Sequence, residues 1–251
     1  MSNSPLVSYT KLSPNHSGQR TRKIDRITPH CVVGQCSVER LGDIFLPASR
    51  EASCNYGIGA DGRVGMYVEE KNRSWCSSSN ANDQRAVTIE CASDGAEPYA
   101  FRDVVYKSLI TLCVDICKRN GKTKLLWLED KDKTLAYTPA PDEMVLTVHR
   151  WFANKSCPGN WMYARMGDLA ERVTAQLSAG TDEEDDDMDI NKFKELWREM
   201  RKELQDNDAS AYSEEARKWA VDNGIIRGGN SDEFNGMWED MMTREQLVTV
   251  L

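Results

Sequence analysis

The sequence contains no apolar stretch approaching the about 18 residues that a membrane-spanning helix needs, so no membrane partner is expected. Its first residues, MSNSPLVSYTKLSPNHSGQRTRK, hold no apolar run between a basic start and a small-residue cleavage site. A secretory signal peptide is therefore not expected, and the chain reads as made and folded in a cytoplasm. Basic residues are in deficit, with 32 Lys and Arg against 40 Asp and Glu and a net charge of −8. That balance weighs against attraction to phosphate backbones, which needs clustered cations, and nucleic acid is not an expected partner. Tight C-x2-C or H-x3-H pairs are missing. The eight cysteines, outside a secretory context and in a chain with enough core to fold unaided, read as free thiols.

What is present points to two units in 251 residues. The segment GTDEEDDDMD, residues 180–189, packs acids without apolar periodicity and reads as a solvated, extended linker. It lacks the regular alternation and central Gly of a calcium loop. Residues 1–179 then form one domain and residues 190–251 a small all-α module.

In the first domain, strand-like and helix-like segments alternate. Arg26–Val33 and Ala86–Ala92 read as short buried strands, and Asn55–Val68 as two strands around the turn Ala60-Asp61-Gly62. Tyr99–Arg119 carries Phe101, Val104, Val105, Leu109, Leu112, Cys113, Ile116 and Cys117 at helical spacing and ends at Asn120-Gly121. Leu125–Leu128 predicts another strand, and Asn160–Ser178 a closing amphipathic helix. This order predicts an α/β fold, a mixed central sheet with flanking helices.

In the second, Ile190, Phe193, Trp197, Met200 and Leu204 form an apolar stripe, suited to docking on neighbouring residues or to a short coiled-coil contact between two copies. Further helices are predicted at Ser213–Asn223 and Thr243–Leu251, each opening on an N-cap residue followed by acidic side chains.

The chain has three histidines. His30 lies inside an apolar strand and His149 in the apolar-aromatic run Met144–Phe152, with Cys157 following as H-x7-C in HRWFANKSCPG. If the chain turns back at Asn154–Ser156, two imidazoles and a thiolate could meet, a donor set for zinc with one position left for water. Spacing alone leaves a hydrogen-bonded core histidine as the alternative. Glu90, between Ile89 and Cys91, is a carboxylate that must be paired, exposed at a strand end, or poised as a base in a cleft. Lys155 could set a positive charge beside a metal, or simply be a solubilising loop residue. Cys113 and Cys117 read as packing residues, and Cys31, Cys36, Cys76 and Cys91 as cysteines with no histidine left to join.

Together and in order, RITPHCVVGQ, CNYGIGADGRV, NDQRAVTIECAS and LTVHRWFANKSCPGNWMY resemble the type 2 N-acetylmuramoyl-L-alanine amidases of phage endolysins and peptidoglycan-recognition proteins, over Ile27 to Leu177. The resemblance implies Zn2+ on His30, His149 and Cys157, Glu90 as catalytic acid/base, Lys155 as oxyanion stabiliser, and peptidoglycan as substrate. Many relatives carry a catalytic tyrosine before the Asp-Gly turn. Aligning on Asp61-Gly62 puts Cys54 there, with Tyr56 two residues later and expected on the same face. A non-cutting recognition protein is the alternative, against which the intact Cys157 stands. The C-terminal WAVDNGIIRGGNSDEFNGMWEDMMTREQLVTVL resembles a single S-layer-homology repeat through Trp219, Gly224, Gly228, Phe234 and Thr243-Arg244-Glu245. That resemblance implies a cell-wall polysaccharide ligand for residues 190–251, touched by Arg244, or self-association. A phage lysin reaching the wall after release, or an autolysin exported by another route, would fit.

Overall fold

The computed structural model describes residues 2–182, 190–203, 209 and 211–226. The chain divides into two compact units, Met1–Glu184 and Asp185–Leu251. The first runs β1 (Val7–Thr10), β2 (His16–Gln19), β3 (Arg26–Cys31), α1 (Val38–Phe45), β4 (Tyr56–Ile58), β5 (Val64–Met66), β6 (Asn72–Ser74) and α2 (Asn80–Asp83). It continues with β7 (Ala86–Cys91), α3 (Asp103–Arg119), β8 (Lys124–Leu126), α4 (Lys131–Ala136), β9 (Glu143–Leu146), α5 (Asn160–Tyr163) and α6 (Met166–Asp182). Short 3-10 turns fall at Ala48–Arg50 and His149–Trp151.

Seven strands form one sheet in the order β1-β5-β4-β7-β3-β9-β8, and β2 and β6 form a separate antiparallel pair. Only β4 and β5 run antiparallel in the large sheet; the other neighbours are parallel, giving the mixed sheet with flanking helices expected. The two central strands, RITPHC and AVTIEC, are covered on both sides, which their near-continuous apolar character demands.

Strand alternation decides which side chains meet which helix. Ile27 and Cys31 of β3, Val87, Ile89 and Cys91 of β7, and Tyr56 and Ile58 of β4 join α3 and α6 in the main core. Cys113 and Cys117 of α3 pack there, as expected. The other face carries Gly57 and Gly65, where Leu41 and Val38 of α1 and the ring of Tyr67 come so close that a Cβ would collide with them. Because α1 packs on β1, β4 and β5, the β7–β3 part of this second face, with Thr28, His30, Thr88 and Glu90, is left to loops and to the site.

Two expectations are corrected. The predicted Asn160–Ser178 helix is broken into α5 and α6, and α6 runs on through Gly180 to Asp182, into the segment expected to be extended. A helical Gly costs only about 1 kcal/mol relative to Ala, too little to stop a helix that has no Pro behind it. The division at Glu184 also falls inside that segment.

In the second unit, α7 (Ile190–Glu203) and α8 (Glu214–Asp222) are helices where helices were predicted. The predicted helix at Thr243–Leu251 and the Gly228, Phe234 and Thr243-Arg244-Glu245 positions of the repeat resemblance lie outside the described residues. No helix among the described residues is long and apolar enough to cross a membrane.

Candidate metal and hydrolytic site

Parallel pairing of β3 with β7 sets His30 opposite Glu90 on neighbouring strands, both on the face that α3 does not cover. His149 enters from the 3-10 turn after β9, a strand that pairs with β3 on its other side. Cys157 returns to it because the loop folds back where predicted: Lys155 N–H donates to Ala153 O at 2.8 Å and Arg150 N–H to Cys157 O at 3.1 Å.

The ligand atoms of His30, His149 and Cys157 all lie within 4.8 Å of one another. The Cys157 Sγ is 3.3 Å from His30 Nδ1, and the two imidazoles meet edge to face at 5.1 Å. His30 is fully buried, yet its Nε2 has no hydrogen-bond partner. Burial, and secondarily His149, hold its pKa well below the ordinary range. Burial and the nearby Lys155 lower that of His149. The Cys157 thiol is pushed up by its hydrogen bond with Cys31 and by burial. Two neutral imidazoles and a thiol that only a cation would deprotonate are a donor set suited to zinc.

Glu90 faces this group. Its Oε2 is buried without a partner, and burial pushes its pKa up to about 7, with Cys76 and then Arg50 pulling against that rise. A carboxylate poised there exchanges protons near neutrality. The Cys76 thiol lies 3.8 Å from Glu90 Oε1, and His30, Cys76 and Glu90 form a second convergent group within 4.8 Å. Cys76, expected to have no histidine to join, thus shares His30.

The loop carrying Cys76 is clamped from behind. Asp83 accepts from Cys76 N–H at 3.0 Å, Ser77 N–H at 3.2 Å and the Ser77 hydroxyl at 2.5 Å. Ser78 takes a left-handed conformation, φ 61°, and its Oγ lies 2.9 Å from His149 Nε2, leaving Nδ1 of that ring for a ligand. Asn82 ties the clamp to the sheet through Thr28 at 3.0 Å and Thr147 at 3.1 Å. Sequence reasoning missed Cys76, Ser78 and Asp83. Only the Ser79 N-cap at the start of α2 could have flagged this turn.

The group opens into a cleft of about 620 Å³ walled by Phe45 of α1, Arg50, Trp75, Ser78 and Lys155. Lys155 is exposed at its rim. Tyr56 does not reach it. The chain bends at Asn55, so the alternation that would have put Tyr56 beside Cys54 is lost. Cys54 is buried on the α1 side. The Tyr56 hydroxyl instead accepts from Ser4 N–H at 2.8 Å and donates to Glu70 at 2.8 Å in the opposite core.

A family model described as N-acetylmuramoyl-L-alanine amidase matches residues 17–160. Among solved structures, an endolysin from Bacillus subtilis is 12% identical, aligned over 66% of this chain and 97% of its own, with a TM-score of 0.43. An AmpD derivative is 17% identical over 64% and 93%, with a TM-score of 0.45. The N-acetylmuramoyl-L-alanine amidase LysCS from Clostridium intestinale is 16% identical over 68% and 97%, with a TM-score of 0.41. No curated protein matches.

Proposed function

Since the chain belongs to the N-acetylmuramoyl-L-alanine amidase family, whose model spans more than half of it, we propose that it hydrolyses the amide joining the lactyl group of N-acetylmuramic acid to L-alanine of the peptidoglycan stem. The observation that carries this reading is the convergence of His30, His149 and Cys157 beside Glu90, with the buried His30 behind a cleft that the other three line.

His30, His149 and Cys157 would hold zinc, which when bound supplies Lewis-acid polarisation of the scissile carbonyl and acidifies water. Glu90 takes the proton of the attacking water and returns it to the leaving nitrogen of L-alanine, a role suited to a carboxylate raised towards neutrality. Lys155 sets its ammonium near the carbonyl oxygen, where negative charge gathers as the carbonyl carbon becomes tetrahedral. Ser78 holds the His149 ring in orientation, and Asp83 fixes Cys76 and Ser77, the two residues before it.

Residues 1–179 are the catalytic domain of this reading and 190–251 a wall-binding helical module that contacts an acidic polysaccharide through Arg244 or pairs two copies, joined by the acidic segment 180–189, whose first residues the end of α6 occupies.

Mass spectrometry of purified walls digested with and without a chelator tests the reading. New L-alanine amino groups without new reducing sugars, lost on chelation and restored by zinc, are expected. New reducing ends, or cleavage indifferent to chelation, would overturn it.

A further inference from the structure

A second cavity, of about 910 Å³, opens on the other side of α2. Arg26 reaches it from the start of β3, on the same strand face as Thr28 and His30. Four residues of strand place it about 13 Å from His30. Ser79 and Asn80 line both cavities, so the two are adjoining compartments.

Arg26 is only 5% exposed, yet among the described residues no carboxylate stands within ion-pair distance of it. Its one side-chain hydrogen bond among the described residues runs to a neutral group, Asn82 Oδ1, at 3.2 Å. Asp25, the single acid in this cavity's wall, is taken by Arg85 at 2.8 and 2.6 Å. Burial, and then the charge of Arg85, lower the Arg26 pKa to about 10. The charge of Asp25 offsets only part of this; a buried cation with no carboxylate in contact is costly to a fold, and an anion entering beside it would relieve that cost. Arg22 and Lys23, both exposed, add two more cations to the same wall.

We propose that this cavity binds an oxyanion of the wall polymer, a phosphodiester or a carboxylate, through the Arg26 guanidinium backed by Arg22 and Lys23. Such groups match a guanidinium fork in charge and geometry. The source of the anion rests on the wall-hydrolase reading; the cavity and its uncompensated arginine do not. Bound there, a charged group of the polymer would register the strand so that an amide about 13 Å away meets Glu90.

The test is a titration of the isotope-labelled full chain, following the Arg26 side-chain Nε–H resonance by NMR. The probes are poly(glycerol phosphate) in one arm and the tripeptide L-alanyl-D-glutamyl-diaminopimelate in the other. A saturable shift with one probe is expected, at least about fivefold weaker in Affinity terms for the Arg22→Gln/Lys23→Gln double variant, and the responding probe names the source. Arg26→Gln assigns the resonance; if that variant does not fold, the exposed double variant still decides. Arg26 unmoved by either probe, or a double variant that binds like the parent, would overturn the proposal. A wall digest that frees no L-alanine amino groups would sink the hydrolase reading and leave this titration standing.

Discussion

At the scale of single residues, the centre couples a donor set to an acid with one unpartnered oxygen. Cys157→Ser exchanges a thiolate for a far poorer neutral zinc ligand. The variant should lose bound zinc and activity together, as metal analysis on the purified protein would record; zinc at the parental level refutes Cys157 as a ligand. Glu90 carries an opposite consequence. Its folded pKa of about 7 lies above that of an exposed carboxyl, so the folded state holds its proton more tightly than the unfolded one. Its contribution favours the fold below about pH 4.5 and is lost as pH rises through about 7. Glu90→Gln should therefore stabilise the metal-free protein at pH 8 by about 1–3 kcal/mol, with no gain at pH 4. Amidase turnover should fall by about 10²–10⁴-fold. Denaturant melts at the two pH values read the first outcome, and a melt unchanged at pH 8 would mean the carboxylate is not desolvated.

Among the elements, the close seat of α1 on the sheet shapes one wall of the cleft. Gly57→Ala would bring a Cβ to 2.7 Å from the Tyr67 ring and 2.8 Å from Leu41. Overpacking of this kind costs about 1–3 kcal/mol, and a urea midpoint shifted down is the expected reading. The two central strands and both long helices were legible because buried runs and 3.6-residue stripes extend over enough residues to register. Residues Val38–Phe45 carried the same signal, with Val38, Leu41, Gly42 and Phe45 inward and Ser37 as N-cap, in too short a span to stand out. β1, β2 and β6 are three or four residues long and show no pattern that sequence alone distinguishes from loop. The convergence of His30, His149 and Cys157 was one of two readings that their scarcity and apolar settings left open, and the four ordered segments of the family resemblance selected it. Cys76 was not legible, since its approach to Glu90 depends on the Asp83 clamp and has no periodicity. Nothing in the sequence sets Arg26 apart from a solvated cation at a strand end; its burial is a property of the fold.

For the molecule as a whole, the chain divides near Glu184, and the proposed function puts catalysis before that division and wall binding after it. A chain ending at residue 182 should cleave a soluble muropeptide at the parental rate while its sedimentation with intact walls weakens. Equal losses on both substrates would contradict the two-part reading.

The sulfur around the centre has a toxicological consequence. Cys76 and Cys157 line one cleft, and His30 belongs to both of their convergent groups. Soft ions draw the proton from a thiol and bind its sulfur more readily than hard ions do, so a chamber with two such thiols is a natural trap for cadmium or mercury. On the proposed zinc reading, micromolar cadmium should displace that ion and abolish amidase activity, and Cys76→Ser, which removes the second sulfur, should leave activity markedly more tolerant.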